Sequence, residues 1–204
     1  MPNRWKPHFE TQDVKVLKMM PCHKGFIQVD RLSVQFPLFN GGFSEPVLRE
    51  VAKRPAAVAV LLYDPEHKQV VMIEQFRAGA FYTAQSPWLL EVVAGVIESS
   101  DTPEQAAVRE VFEETGLKIL SLIPICHYLP SPAILSENVF LYCATVHAPK
   151  RGGVFGLAEE AEDIKVHIFS VEEAFKHLAA GHIVSAPAWI SLQWLQRQID
   201  QKTL

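Results

Sequence analysis

The segment between Thr102 and Gly116 carries the clearest helix signals in the sequence. Thr102 suits the N-cap, Pro103 suits the first helical position, and Gln105 stands where a capping box places its second member. Gly116 can adopt the left-handed conformation that ends a helix. These signals predict a helix of 13 residues, about 20 Å long at ~1.5 Å per residue.

This predicted helix contains an acidic cluster with one basic neighbour. Glu110 and Glu114 are four residues apart and share a face, while Glu113 follows Arg109 by four residues, where an ion pair can orient it. Two aligned carboxylates repel unless a positive charge lies between them, and Mg²⁺ typically takes one or two carboxylates beside waters and phosphate oxygens. Taken by itself, the cluster is compatible with a solvated acidic face or with a metal site.

The residues around the cluster favour the metal site. From Gly95 to Leu117 the sequence is GVIESSDTPEQAAVREVFEETGL. It resembles the Nudix box, G-x5-E-x7-R-E-U-x-E-E-x-G-U, in which U is aliphatic. Asp101 stands where that pattern has Glu, and the other fixed positions match. The chain is therefore identified as similar to the Nudix family.

This resemblance implies a divalent metal, Mg²⁺ with Mn²⁺ as the other possibility, bound on a pyrophosphate. It implies that Glu110 and Glu114 are metal ligands, and that Glu113 is a ligand or supports one. Arg109 is implied to orient the carboxylates, and the carbonyl of Ala94 to be a further ligand.

The hydrophobic pattern predicts more strands than helices, without regular alternation between them. That order is typical of an α+β domain with a mixed sheet. The resemblance implies the Nudix fold, a mixed β-sheet sandwiched between helices, with a small N-terminal antiparallel β-sheet region. We expect that region at residues 1–50 and the Nudix hydrolase domain at 51–204. The predicted strands lie within 14–36, 56–77, 88–95, 138–147 and 164–170, and helices within 171–180 and 186–201, the last with Trp189 on its apolar stripe.

Composition excludes several classes of protein. The net charge is -4 and no basic run stands out, which argues against a nucleic-acid or membrane-surface partner. No segment approaches the ~20 apolar residues that span a bilayer. The three cysteines are scattered, and the N-terminus lacks the apolar run of a signal peptide. We expect a cytoplasmic protein.

Segments outside the box resemble the ADP-ribose pyrophosphatase subgroup of bacterial Nudix hydrolases. This likeness implies metal-dependent hydrolysis of ADP-ribose to AMP and ribose 5-phosphate by a homodimer, whose N-terminal region contributes to dimerisation and substrate contact. The matching segments are VLRE (47–50), IEQFR (73–77), PWLLEVVAG (87–95), LPSPAILSE (129–137) and GLAEEAEDI (156–164).

Three residues of these segments are candidate substrate contacts. By the resemblance, Arg49 and Arg77 hold the diphosphate or the terminal ribose, where a guanidinium fork suits phosphate oxygens. Glu137 is retained from the same subgroup pattern. However, Ala133 and Ile134 stand where the subgroup has a Gly pair, and neither takes positive φ as readily as Gly.

The acid-rich segment 156–164 is a candidate source of the general base. By the resemblance, Glu160 takes the proton of the attacking water and Glu162 is a metal ligand. Glu159 is a competing candidate for the base.

Two alternative functions remain. The altered loop at 133–134 leaves open another nucleoside-diphosphate sugar, such as GDP-mannose, as the substrate. A sensor that binds ADP-ribose without cleaving it is the non-enzymatic alternative. The presence of Glu110, Glu113 and Glu114 argues against it, because such sensors tend to lose the carboxylates of the box.

Overall fold

We describe the protein from a computed structural model that covers residues 5–83, 86–157 and 161–204. The chain forms two compact units, one of Met1–Pro55 with Ser131–Glu137 and the other of Ala56–Pro130 with Asn138–Leu204. The expected division into domains at residue 50 stays a prediction, because compactness does not show which segments fold or function independently.

The first unit contains a three-stranded antiparallel sheet, preceded by a 3₁₀ turn at Thr11–Asp13. Its strands, in spatial order, are β1 (Lys15–Lys24), β2 (Gln28–Gln35) and β3 (Val47–Lys53). The segment 131–137 lies beside the end of β3, where Ala52 donates to the Ile134 carbonyl at 2.8 Å and accepts from Ser136 at 3.1 Å. The expected small N-terminal antiparallel sheet is confirmed.

The second unit contains a mixed eight-stranded sheet. Its spatial order is β10-β11-β5-β4-β9-β8, with β6 on β5 and β7 on β4. β4 and β9 are parallel, and the other described pairs are antiparallel. The strands are β4 (Ala57–Asp64), β5 (Gln69–Phe76), β6 (Trp88–Glu91), β7 (Val93–Val96), β8 (Ser121–Tyr128), β9 (Val139–Thr145), β10 (Val154–Phe155) and β11 (Ile164–Ser170).

Helices cover both faces of this sheet, as expected for the fold. They are α1 (Pro103–Thr115), α2 (Val171–Ala179) and α3 (Ala186–Asp200), and a 3₁₀ helix spans Ala78–Tyr82. Val60 of β4 packs in one hydrophobic cluster with Val111 of α1, and Leu61 packs in the other with Leu192 of α3. Each such fully buried aliphatic side chain stabilises the fold by roughly 1.5–3 kcal/mol. Burial on both faces explains why β4 is a continuous apolar run.

Several local features differ from the sequence-based expectation, and β3 and β10 are among the strands that the hydrophobic pattern did not predict. The segment WLLEVVAG forms two strands, because β6 pairs with β5 and β7 with β4. β8 was not anticipated; it contains Pro124, next to an irregularity in its register, which an edge strand tolerates. Trp189 is 49% exposed, so it is not part of the core of α3.

None of the helices in the described ranges is long and apolar enough to cross a lipid bilayer.

Helix α1 begins and ends where the sequence predicts. The Thr102 hydroxyl accepts from the Gln105 amide at 3.2 Å, and the Gln105 side chain accepts from the Thr102 amide at 2.8 Å. Gly116 ends the helix in the left-handed conformation, with φ 69°. The capping box satisfies amides that the first turn would otherwise leave without partners.

We predict that Thr102→Ala lowers the free energy of unfolding by about 1 kcal/mol, because it removes the hydroxyl acceptor of the N-cap. For a chain of this size the melting temperature should fall by about 2–4 °C. Thermal denaturation followed by circular dichroism measures this change. Thr102→Ser retains the acceptor and serves as the matched control; an equal loss in both variants would contradict the capping interpretation.

Candidate active site

Two carboxylates of α1 are buried against strand β7. Glu110 is 9% exposed and Glu114 is 2% exposed. The Ala94 amide donates to Oε2 of Glu114 at 3.3 Å. A Cβ atom at Gly95 would overlap the carboxylate of Glu110. The first residue of the sequence motif is therefore a glycine because a glutamate of the helix occupies the space beside its backbone.

Arg109, in the middle of α1, contacts three acidic side chains. Its Nη1 lies 2.8 Å from Oε1 of Glu110 and 3.0 Å from Oε2 of Glu113. Its Nε donates to Asp101 at 3.3 Å, and its Nη2 donates to the Val96 carbonyl at 3.0 Å. The shorter Asp101 still reaches the guanidinium. Arg109 can thus hold the orientation of two carboxylates on its own helix.

Burial favours the protonated form of both buried carboxylates. It raises the pKa of Glu110 to about 7, with the charges of Glu113 and Glu162 acting in the same direction and Arg109 against it. Burial also raises the pKa of Glu114 to about 8, and the charge of Glu110 adds to that effect. Without a cation, the pair avoids charge repulsion by remaining protonated.

The guanidinium of Arg77, which follows β5, interacts electrostatically with Glu114. Its Nε donates to Oε2 of Glu91 at 2.6 Å. Arg77 acts to lower the pKa of Glu114, against the larger effect of burial. Glu91 is buried while Arg77 keeps 40% of its side chain exposed, so the guanidinium is anchored on one side and accessible on the other. No role for Glu91 was predicted from the sequence, in which it is a lone acid within an apolar strand.

The acidic segment after β10 supplies another carboxylate to the same unit. Oε2 of Glu162 accepts from the Leu157 amide at 3.2 Å. Its negative charge raises the pKa of both Glu110 and Glu114, which shows that it acts on the pair. Glu159 and Glu160, the two candidates for the general base, lie outside the described residues.

The remaining predicted site residues belong to the first unit. Arg49 is exposed on β3, and its Nη1 donates to the Leu48 carbonyl at 2.9 Å. Glu137 pairs with Nε of Arg54 at 3.4 Å, with both side chains partly buried. Arg54 was not singled out from the sequence, because its partner is 83 residues away.

The donor set fits a hard divalent cation better than a soft one. Glu110, Glu114 and the Ala94 carbonyl offer oxygen atoms only, which Mg²⁺ and Mn²⁺ prefer. Across 5–83, 86–157 and 161–204, no group of three or more His, Cys, Asp or Glu side chains is arranged to hold a metal ion. A site here would therefore rely on two helix carboxylates, backbone oxygen, water and substrate oxygens.

Comparison with known proteins agrees with this geometry. The NUDIX domain model matches residues 53–192. The chain belongs to the Nudix family. It is 40% identical over 197 residues to an ADP-ribose pyrophosphatase of Haemophilus influenzae, covering 95% of this chain and 91% of the relative.

Two further comparisons extend this result. A GDP-mannose pyrophosphatase of Enterobacter sp. (strain 638) is 32% identical over 149 residues, covering 72% of this chain and 77% of the relative. The crystal structure of an ADP compounds hydrolase superposes with a TM-score of 0.69 at 18% identity, covering 93% of this chain and 98% of that one. This structural likeness confirms the Nudix fold.

We predict that the metal-free protein loses stability as the pH rises from 5 to 8.5. The folded-state pKa values of Glu110 and Glu114 lie above the ordinary value of 4.5, so the folded state holds protons that the unfolded chain releases in this range. The loss should be on the order of several kcal/mol. A divalent cation such as Mg²⁺ would bind the ionised carboxylates, so added Mg²⁺ should stabilise the protein more at pH 8.5 than at pH 6.

Melting curves in EDTA and in Mg²⁺ across this pH range measure both effects. Glu114→Gln is the control, because an amide does not titrate and should flatten the pH dependence and reduce the gain from Mg²⁺. The same pH dependence and the same Mg²⁺ gain in this variant would contradict the role given to Glu114.

Proposed function

We propose that this protein hydrolyses the pyrophosphate bond of ADP-ribose, giving AMP and ribose 5-phosphate. The observation that carries the reaction type is the pair of buried carboxylates on α1, packed against β7 and oriented by Arg109. The choice of substrate is supported by similarity along nearly the whole chain to an ADP-ribose pyrophosphatase.

Glu110, Glu114 and the Ala94 carbonyl would hold Mg²⁺, with Mn²⁺ as the other candidate and Glu162 as a further ligand. When bound, such an ion neutralises diphosphate oxygens and stabilises charge on the leaving phosphate. Arg109 would keep Glu110 aimed at the ion. Release of protons would accompany binding, because burial raises the pKa of both acids toward or above neutral pH in the metal-free site.

Hydrolysis also requires a group that accepts a proton. A water oxygen forms a bond to one phosphorus, the bond from that phosphorus to the bridging oxygen breaks, and its electron pair leaves with the other phosphate. We propose Glu160 as the carboxylate that takes the proton of this water, with Glu159 as the competing candidate. Glu113 would support the site through its 3.0 Å ion pair with Arg109.

Two guanidinium groups are proposed to bind substrate. Arg77 is suited to a phosphate because Glu91 fixes its Nε and leaves its terminal nitrogens for a bidentate contact. Arg49 is proposed to hold the diphosphate or the terminal ribose. Glu137 is proposed as a further substrate contact, held in place by Arg54.

The exposed apolar surface of the first unit supports a homodimer. Every residue of the edge strand β1 is exposed, including Val16, Leu17 and Met19, which are 55%, 52% and 60% exposed. An uncovered apolar surface of this kind is typical of an interface. We propose that a second copy covers it.

We also propose a cytoplasmic location, supported by the free thiols of all three cysteines.

A second candidate substrate, GDP-mannose, is supported by the loop at 133–134. Ala133 and Ile134 replace the Gly pair of the ADP-ribose subgroup, and Ile134 is 61% exposed on a segment hydrogen-bonded to β3. An exposed branched side chain can alter the fit of a terminal sugar without affecting the carboxylates of α1. Similarity to a GDP-mannose pyrophosphatase adds support for this alternative.

Product analysis with Mg²⁺ and each nucleotide sugar tests the proposed function. We expect AMP and ribose 5-phosphate from ADP-ribose, with kcat/KM about tenfold or more above that for GDP-mannose. A higher kcat/KM for GDP-mannose would assign the protein to that substrate. Binding of ADP-ribose without cleavage would contradict the enzymatic proposal.

We predict that Glu160→Gln lowers kcat about 10²–10⁴-fold with little change in KM, because it removes the proton acceptor and retains the shape of the side chain. Steady-state kinetics with ADP-ribose measures both constants. Glu159→Gln is the matched control and should retain most of the activity. A larger loss of kcat in that control would move the base to Glu159, and a raised KM at unchanged kcat would assign Glu160 to binding.

A further inference from the structure

A second cleft lies at the far end of the sheet of the second unit. It has a volume of about 900 Å³ and is formed by the turn before β5, the segment after β9, and β11. Gln69, at the start of β5, lines it. Arg77 follows the other end of β5, eight residues away and so about 26 Å along an extended strand. Lys165 also lines the cleft and pairs with Glu74 of β5, so the cleft extends along β11, but none of the described residues assigned to the candidate active site lines it.

The lining of this cleft is basic in a protein whose net charge is -4. Lys150, Arg151 and Lys165 line it together with His67 and His167. Of the lining residues that the structure describes, none is acidic. His167 is engaged with Glu74 at 2.8 Å, whereas within the described ranges the two lysines and the arginine form no ion pair. Among the residues that the structure describes, the three positive charges of the cleft thus have no acidic partner.

A buried carboxylate organises one side of the cleft. Asp64 is 0% exposed and accepts from the Ala148 amide at 2.8 Å, from the His67 amide at 3.0 Å and from the Glu66 amide at 2.9 Å. Its Oδ2 also lies 3.0 Å from Nδ1 of His67. This arrangement ties the turn before β5 to the segment that carries Lys150.

The backbone fixes the other side of the cleft. The Val166 amide donates to the Gly153 carbonyl at 2.8 Å, and a Cβ atom at Gly152 would overlap the Val166 carbonyl oxygen. Gly152 therefore lets the chain lie close against β11 directly after Arg151. Hydrogen bonds at Ala148 and Gly153 hold both ends of the segment that contains Lys150 and Arg151, so its backbone is fixed.

We propose that this cleft binds a phosphorylated small molecule, through Lys150, Arg151 and Lys165. Phosphoryl oxygens suit this set, because guanidinium and ammonium groups form charge-assisted hydrogen bonds with them. The volume matches that of small-molecule sites, which are about 300–1,000 Å³. The ligand is either an inorganic polyphosphate or a nucleoside monophosphate, since both present these oxygens at this scale.

Titration of ¹⁵N-labelled full-length protein in EDTA, followed by amide chemical shifts, tests this proposal. The probes are inorganic tripolyphosphate and AMP, each at constant ionic strength. We expect saturable shifts of the His67, Gly152 and Gly153 amides with at least one probe, and the probe with the lower Kd identifies the source of the phosphate. Shifts confined to Gly95 and Glu110 would place the anion in the candidate active site and overturn the proposal, as would no shift with either probe.

A charge-matched pair of variants distinguishes a site from general electrostatic attraction. Lys150→Gln with Arg151→Gln removes two positive charges from the cleft, whereas Lys118→Gln with Lys202→Gln removes two exposed charges elsewhere in the same unit. The cleft variant should raise Kd about tenfold or more, and the control should change it less than about twofold. Equal weakening in the two variants would overturn the proposal. None of these four residues is in the proposed catalytic or substrate-binding set, so hydrolysis of ADP-ribose without ligand should be unchanged.

Discussion

The burial of two carboxylates against the backbone of β7 is the constraint on which the candidate active site depends. Glu110 and Glu114 are almost closed off from water, and burial raises the pKa of both. A helix carrying such a pair stays in place only if other contacts hold it. The Thr102 cap and the packing of Val111 in the core provide those contacts. The packing of the hydrophobic face of α1 thus offsets the free-energy cost of burying the two carboxylates on its acidic face.

The register of the central strands brings the other groups to this helix. β4 is buried on both faces and pairs with β5, β7 and β9, so it fixes its neighbours relative to one another. β7 then presents Ala94 and Gly95 to the two carboxylates. The pairing of β5 with β6 brings Arg77 to Glu91. The positions of the candidate ligands therefore follow from strand pairing in the core.

Features that rest on local signals were predictable from the sequence, and features that rest on distant partners were not. The start of α1 was predictable because Thr102 and Gln105 are three residues apart. The pair of Arg54 and Glu137 was not, because 83 residues separate its members and neither carries a local signal. β8 escaped prediction because Pro124 disfavours a strand except at an edge, and the edge position depends on the whole sheet.

The buried carboxylates differ in how many N–H groups donate to them. One that accepts several such hydrogen bonds stabilises the fold, whereas one that accepts few can bind a ligand. Asp64 accepts three amide hydrogen bonds and contacts His67; although burial acts to raise its pKa, these donors lower it below the ordinary value. Glu114 accepts only the Ala94 amide among the donors that the structure describes, and its pKa is raised. Backbone amides already compensate the charge of Asp64, and these hydrogen bonds connect two segments that line the basic cleft. The charge of Glu114 is left for a cation to compensate, which is the property that a metal ligand requires.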